Sequence, residues 1–256
     1  MAEYTYAEII RKFKDREIKA KEIFDIREIQ KKEAYDFVRA YHYLGDKKFF
    51  SKINYGLFLE NELVGVSTFS SPQGNVALKG WFGITDNKDQ TILELSRLAM
   101  LPDLNGTNAT SYLLGNSIKL LHRDHGIRAV ITLASSDRHV GSIYQNCNFK
   151  YYGMTSPKKD FYPEECGDGV QFNRGKLKHL RGVWVPRPRK HRYAYIMDRH
   201  LRCLYKEEPR PKKDVLTVRE CCGGLGYITD RRFGVRYQCP ICTTPYDGRL
   251  IVCPCP

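Results

Sequence analysis

The stretch from Ile92 to Ala134 constrains the fold most. An apolar strand, Ile92–Met100, runs into a loop over Pro102–Asn108, then into an apolar helical pattern over Ala109–Leu121, the helix stop Gly126 and a buried strand over Ala129–Ala134. Strand, helix and strand in that order supply the parallel pairing of an α/β protein. Upstream, Tyr55–Leu59 and Leu63–Phe69 flank Glu60, Asn61 and Glu62 and read as an antiparallel hairpin. The expected fold is therefore α/β with a mixed, mostly antiparallel sheet flanked by helices. Around it the pattern predicts a charged N-terminal helix with Ile9, Ile10 and Phe13 on one side, a strand over 23–29 and a helix from Gln30 to Tyr41 stopped by Gly45. A Gly-, Asn- and Asp-rich loop then precedes Ile92, with a short helix over Val140–Cys147 and a strand over Phe149–Met154 closing the region.

Charge enters next. Lys and Arg number 42 against 29 Asp and Glu, a formal +13, which points to a polyanionic partner. The excess is local: from Arg174 to Lys213 there are fourteen Lys or Arg and three acids. Within it, Trp184, Tyr193 and Tyr195 interleave with Arg187, Arg189, Lys190 and Arg192. Such a segment suits phosphate contact with stacking on an unpaired base, and its binding falls steeply with salt. The plainer alternative is a solvated loop followed by an edge strand over Tyr193–Met197. No stretch reaches eighteen apolar residues, and Met1–Phe24 has no apolar run of signal-peptide type. The expectation is a cytoplasmic chain without a membrane partner.

In a reducing compartment, clustered thiols are metal ligands more often than disulfides. Six of the nine cysteines fall in the last 42 residues: Cys221, Cys222, Cys239, Cys242, Cys253 and Cys255. Two thiolates separated by two residues, as in Cys239-Pro-Ile-Cys242, can both reach one tetrahedral Zn2+. A segment this short gains its folding energy from the metal. Six thiols exceed four ligands, and which of each end pair is a spectator stays open. The domain reading is a catalytic domain over 1–200 with a basic arm over 174–200, a Pro-marked linker over 201–214 and a zinc-ribbon-like module over 215–256.

Free amides at the start of the helix after Asn108 can cradle a pyrophosphate. The strand Ala129–Ala134 ends at Ser135-Ser136-Asp137, and ligands of open α/β sheets gather beyond the carboxyl ends of strands. Asp137 is placed there for chemistry or as a helix N-cap. This order of parts resembles the GNAT acyltransferase superfamily over roughly Phe24–Met154. The resemblance implies acyl-CoA along the strand carrying Leu98 and Met100, with its pyrophosphate at Asn105, Gly106, Thr107, Asn108, Ala109 and Thr110. It also implies a general-acid Tyr144. The superfamily's phosphate loop opens on a donor, whereas this sequence has Asp103.

A narrower resemblance rests on Tyr41-His42-Tyr43, Leu95-Ser96-Arg97, Asp137 through Gln145, and Arg189-Lys190-His191-Arg192-Tyr193. These runs are similar to the Mom family of bacteriophage proteins. That resemblance implies conversion of adenine in DNA to an N6-carbamoylmethyl derivative, restriction evasion in an infected bacterial host, and an iron cofactor. It implies roles for a Tyr near the first helix, for Arg97 and for Asp137. The chemistry is consistent: the adenine amine is a weak nucleophile, so a carboxylate taking its proton helps it attack. A cation such as Arg97 steadies charge on a carbonyl, or else pairs with Glu94 or Asp103. Tyr41 or Tyr43 can stack on a flipped base or pack in the core, and His42 can relay protons. An acetyl-CoA-dependent N-acetyltransferase acting on a protein or RNA amine is the alternative activity. The oligomeric state is left open by the sequence, a homodimer included.

Overall fold

The computed structural model describes residues 5–45, 47–72, 75–85, 90–136, 139–163, 181–212, 227–230 and 235–238. The chain divides into two compact units, one of residues 1–133, 141–155 and 191–210, the other of 134–140, 156–190 and 211–256.

The first unit is built on a seven-stranded sheet in the order β1-β2-β3-β4-β5-β9-β6. Its elements are α1 (Tyr6–Lys14), α2 (Ala20–Ile23), β1 (Phe24–Glu28), α3 (Lys31–Tyr41), β2 (Ile53–Leu59), β3 (Glu62–Ser70), α4 (Asn75–Phe82) and β4 (Ile92–Met100). A 3-10 turn (Pro102–Leu104) leads to α5 (Ala109–His125), β5 (Ala129–Ser135), α6 (Ser142–Asn146) and β6 (Lys150–Met154). β9 (Lys190–Ile196) follows β7 (Lys158–Pro163) and β8 (Gly182–Arg187) in the chain. β1 to β4 pair antiparallel in sequence, β4 pairs β5 in parallel, and β6 pairs β9 antiparallel.

The two helical layers follow from strand alternation. Val66 packs with Phe37 and Val38 of α3, whereas its neighbour Ser67 bonds Ser117 of α5 at 2.9 Å. Successive strand residues face opposite sides, so α3 and α5 cover opposite faces. Leu113, Leu114, Ile118 and Leu121 are the α5 stripe, and Leu93 and Phe69 are fully buried in the sheet. Each such side chain contributes about 1.5–3 kcal/mol of burial energy.

Several expectations need correction. α3 ends at Tyr41 with His42 extended as its cap; Gly45 lies in the turn beyond, its amide bonded to the His42 carbonyl at 2.8 Å. α5 runs four residues past Leu121, and α6 is confined to Ser142–Asn146. The loop expected before Ile92 contains α4, whose Leu78, Trp81 and Phe82 pack on Ile92, Ile131 and Ala194. The edge strand of the plainer alternative, Tyr193–Met197, falls in β9, which is held between β5 and β6. Residues 201–210, expected as linker, are docked instead. Leu204 donates its amide to the Trp81 carbonyl at 2.7 Å, Glu208 donates to Tyr151 at 2.9 Å, and Tyr205 packs edge-on against Trp81 with centroids 5.2 Å apart. Apolar Leu201, Cys203 and Tyr205 explain it: they complete the α4 cluster.

In the second unit, β7 and β8 form an antiparallel ladder from Lys158↔Arg187 to Pro163↔Gly182. The Ser136 amide bonds the Arg189 carbonyl at 3.0 Å. A hairpin of β10 (Tyr227–Asp230) and β11 (Val235–Gln238) is all of the tail that is described. Cys221, Cys222, Cys239, Cys242, Cys253 and Cys255 lie outside the described residues, as does Asp137.

Candidate functional site

The site is made by one irregularity in β4. The β3–β4 register pairs Thr68 with Arg97 and Phe69 with Leu95, so Ser96 is an inserted bulge residue. A bulge reverses which face the later residues take. Leu95, opposite Phe69, shares the face of Ser67 and α5. Arg97, opposite Thr68, shares the face of Val66 and α3. Ser96 is held in place by Ser70, their hydroxyls 2.7 Å apart.

On the α3 face Arg97 enters an aromatic surround. Its Cζ lies 5.1 Å from the centroid of Phe49, a cation–π distance. Phe49 stacks on Tyr35 at 4.2 Å and 9°, and the Tyr35 hydroxyl donates to the Phe49 carbonyl. Arg97 donates to the Ser96 carbonyl at 2.7 Å. Its Nε is buried without a hydrogen-bond partner among the described residues, as is Thr68 Oγ1 opposite it. Burial lowers the pKa of Arg97 from the ordinary arginine value, with Tyr43, Tyr35 and Glu94 acting the other way. Neither Glu94 nor Asp103 forms an ion pair with it among the described residues.

β4 also loses its second neighbour here. The parallel ladder to β5 runs only from Ile92↔Ala129 to Glu94↔Ile131, while β4 continues to Met100 beside β3. Beyond Glu94 the strand therefore offers backbone groups on its β5 side, among them those of Leu98 and Met100. Tyr144, from the first turn of α6, is bonded to Thr132, the β5 residue that follows Ile131. Its ring packs against Phe149 and Tyr193, centroids 5.7 and 5.5 Å away. Burial pushes its phenol above the ordinary 10.0, against the pull of a hydrogen bond with Thr132. Tyr43 acts electrostatically on both Arg97 and Tyr144. Gly141 makes the approach of α6 possible: at φ +77, a Cβ there would meet the Tyr193 ring at 2.7 Å and the Tyr144 ring at 2.9 Å.

Tyr43 is 57% and Tyr41 48% exposed, so neither is a core residue. Tyr43 stacks on His42 with centroids 4.4 Å apart. His42 Nδ1 accepts the Leu44 amide at 3.0 Å, which leaves the proton of the neutral ring on Nε2.

Asn105–Thr110, expected from the resemblance to hold a pyrophosphate, form a tight turn leading into α5. Thr107 donates to the Leu104 carbonyl at 2.7 Å and accepts the Ala109 amide at 3.2 Å; Asn105, Gly106 and Asn108 are exposed, and Thr110 is half-buried. Asp103 is exposed beside them, near enough to Tyr6 to help burial raise its phenol.

The predicted DNA-binding residues are divided. Arg187, Arg189 and Lys190 belong to the second unit, Arg192 and Tyr193 to the first. Arg192 donates to the Met154 carbonyl at 2.7 Å and lies 4.1 Å over Tyr205. Tyr193 is fully buried and accepts from Gln145 at 2.9 Å. In β9 these two side chains hold the sheet together, so base stacking by Tyr193 is not available in this conformation. Among the described residues no group of three or more His, Cys, Asp or Glu could hold a metal ion. Sequence reasoning missed Tyr35, Phe49, Thr68 and Thr132. An aromatic next to Lys47-Lys48 was the one available signal, at Phe49.

The model of the Mom protein family matches residues 23–212. The chain belongs to the Mom protein family. That match takes in the sheet, Arg97, Tyr144 and the docked segment through Arg210. No curated protein gives a significant sequence match. Among solved structures, the ribosomal-protein-S18-alanine N-acetyltransferase of Escherichia coli aligns at 12% identity and TM-score 0.42, covering 69% of this chain and 95% of that one. A Bacillus subtilis acetyltransferase in complex with CoA aligns at 14% identity and TM-score 0.41, covering 69% and 99%. Spermidine/spermine N-acetyltransferase SpeG of Vibrio cholerae aligns at 9% identity and TM-score 0.44, covering 71% and 97%. No helix among the described residues is long and apolar enough to cross a membrane.

Proposed function

We propose that this protein is a group-transfer enzyme that modifies the N6 amine of adenine in DNA, with the carbamoylmethyl product and restriction evasion that its Mom membership suggests. The observation that carries the reading is the pair of buried, unpartnered polar atoms, Arg97 Nε and Thr68 Oγ1, opposite each other at the open stretch of β4. Leaving buried polar groups unmatched costs about 1–3 kcal/mol each, a cost that binding of a polar substrate offsets.

Each residue then has a task. Arg97 donates to the amide carbonyl of the carbamoylmethyl group, which orients its CH2 carbon for attack by N6 and draws electron density from it. Asp137 takes the proton that N6 releases as its lone pair forms the new carbon–nitrogen bond. Tyr144, kept protonated by burial, gives its proton to the leaving group as that group departs with the bonding electrons. Tyr43, with Tyr41 and His42 beside it, stacks on the adenine lifted out of the duplex. Leu98, Met100 and the turn Asn105–Thr110 are where an acyl-CoA would lie; a thioester would supply an acyl group, the donor that the alternative N-acetyltransferase reading needs, and the N–CH2 bond of a carbamoylmethyl product needs a donor activated at its CH2 carbon. Iron has no ligand set among the described residues, and no step is assigned to it. In the tail, zinc held by four of the six cysteines is our reading of their spacing.

The test is the mass of nucleosides from DNA of cells expressing the protein. A heavier deoxyadenosine is expected from the native chain and none from Asp137→Asn. Only unmodified deoxyadenosine from the native chain overturns the reading.

A further inference from the structure

The segment Met197–Arg210 returns along the first unit from the end of β9. Its backbone is tied down at Arg128, Trp81 and Tyr151, and Tyr205 is clasped between Trp81 and Arg192. Its charges are sorted. The acids are engaged by the body of the unit: Asp198 pairs with Arg128 at 2.7 Å, Glu207 with Lys150 at 2.8 Å in an exposed pair, and the exposed Glu208 carboxylate occupies the space a side chain would need at Gly153. Arg199, Arg202, Lys206 and Arg210 are exposed, and none forms an ion pair among the described residues. Arg210, at the far end, acts electrostatically on Tyr193, whose ring touches Tyr144.

We propose that this strap is a fixed docking track for the phosphodiester backbone of DNA on the unit that carries Arg97 and Tyr144. The proposal rests on the reading of DNA as substrate. A solvated basic loop would scatter its charges and mix them with acids. This one pairs Asp198 and Glu207 with the body of the unit and leaves four exposed cations without ion pairs among the described residues on an anchored chain. Ordering cost is already met, so each phosphate contact releases counterions without first freezing the backbone.

The test compares full-length proteins in salt titrations of binding to a labelled DNA duplex. The variant Arg199→Gln, Arg202→Gln, Lys206→Gln, Arg210→Gln removes the track, and Lys14→Gln, Arg16→Gln, Lys21→Gln, Lys32→Gln removes as many exposed cations elsewhere. With about 0.9 per phosphate contact, the track variant should lower the slope of log K against log salt by about 3–4, and the control variant should leave it near the native value. Conversion of the three track arginines, Arg199, Arg202 and Arg210, to Lys should retain the native slope. Equal slopes for the native and track proteins, or an equal fall in both variants, overturn the track. Steep native binding that the track variant loses, without any modified deoxyadenosine, would instead uphold the track and remove the proposed chemistry.

Discussion

Thr68 and Arg97 are register partners across β3 and β4, and each buries a polar atom, Oγ1 and Nε, with no hydrogen-bond partner among the described residues. A folded chain tolerates such a pair where something else completes it.

Replacement of Arg97 by Gln should therefore separate activity from stability. The modified nucleoside should fall by about 10²–10³-fold, the loss typical for one preorganised charge-stabilising donor. The melting temperature should stay level or rise, because a half-buried guanidinium without a carboxylate no longer has to be desolvated. Nucleoside mass analysis and a thermal melt on the same preparation check both.

Tyr144→Phe keeps the packing on Phe149 and Tyr193 and removes only the hydroxyl bonded to Thr132. About 1 kcal/mol of stability should be lost, together with most activity. Gly141→Ala acts on the same residue by another route, since the new Cβ collides with Tyr193 and Tyr144 at a positive φ. A cost of about 2–3 kcal/mol is expected. Urea midpoints distinguish the two.

Alkali should unfold the protein through its buried phenols. Burial raises the pKa of Tyr55 and Tyr193 and lifts that of Tyr152 to about 12. A raised folded value means the unfolded chain ionises first, so the contribution is complete below pH 10 and is lost as pH rises through the folded values. Urea midpoints should hold up to about pH 10 and fall above it. Tyr152→Phe should make that fall shallower.

Tyr205→Ala should loosen the strap. It removes the contacts with Trp81 and Arg192, at a cost of about 2–3 kcal/mol. Cys203, whose thiol burial pushes up, should then be alkylated faster by iodoacetamide, read at that residue by peptide mass.

Metal content tests the tail. The purified chain should carry zinc, and Cys239→Ser with Cys242→Ser should lose it without moving the melting transition of the first unit, whose described core contains none of the six cysteines. Native protein free of zinc after metal analysis would contradict the assignment.

Much of the fold could be read in advance, because it rests on local patterns. The hairpin of β2 and β3 shows in alternating apolar runs, with Glu60 and Asn61 at positive φ in its turn. The extent of α5 was underestimated, since its last turn, His122–His125, is polar and exposed. α4 was hidden because Gly80 and the flanking Gly, Asn and Asp residues mimic a loop, while its stability comes from Trp81 packing against distant Tyr152 and Tyr205. Likewise Pro209 and Pro211 looked like a linker, although Leu201 and Tyr205 had a core waiting for them.

The amino-acid order alone determined the alternation of strands and helices, the concentration of positive charge after residue 174 and the residue types available for chemistry. It did not determine which face Arg97 occupies. Simple alternation places Arg97 with Leu95 against α5; the extra residue Ser96, recognisable only once β3 supplies the register, turns it toward Phe49 and Tyr43. A bulge is a property of two paired strands, so its consequence is invisible in one strand read by itself.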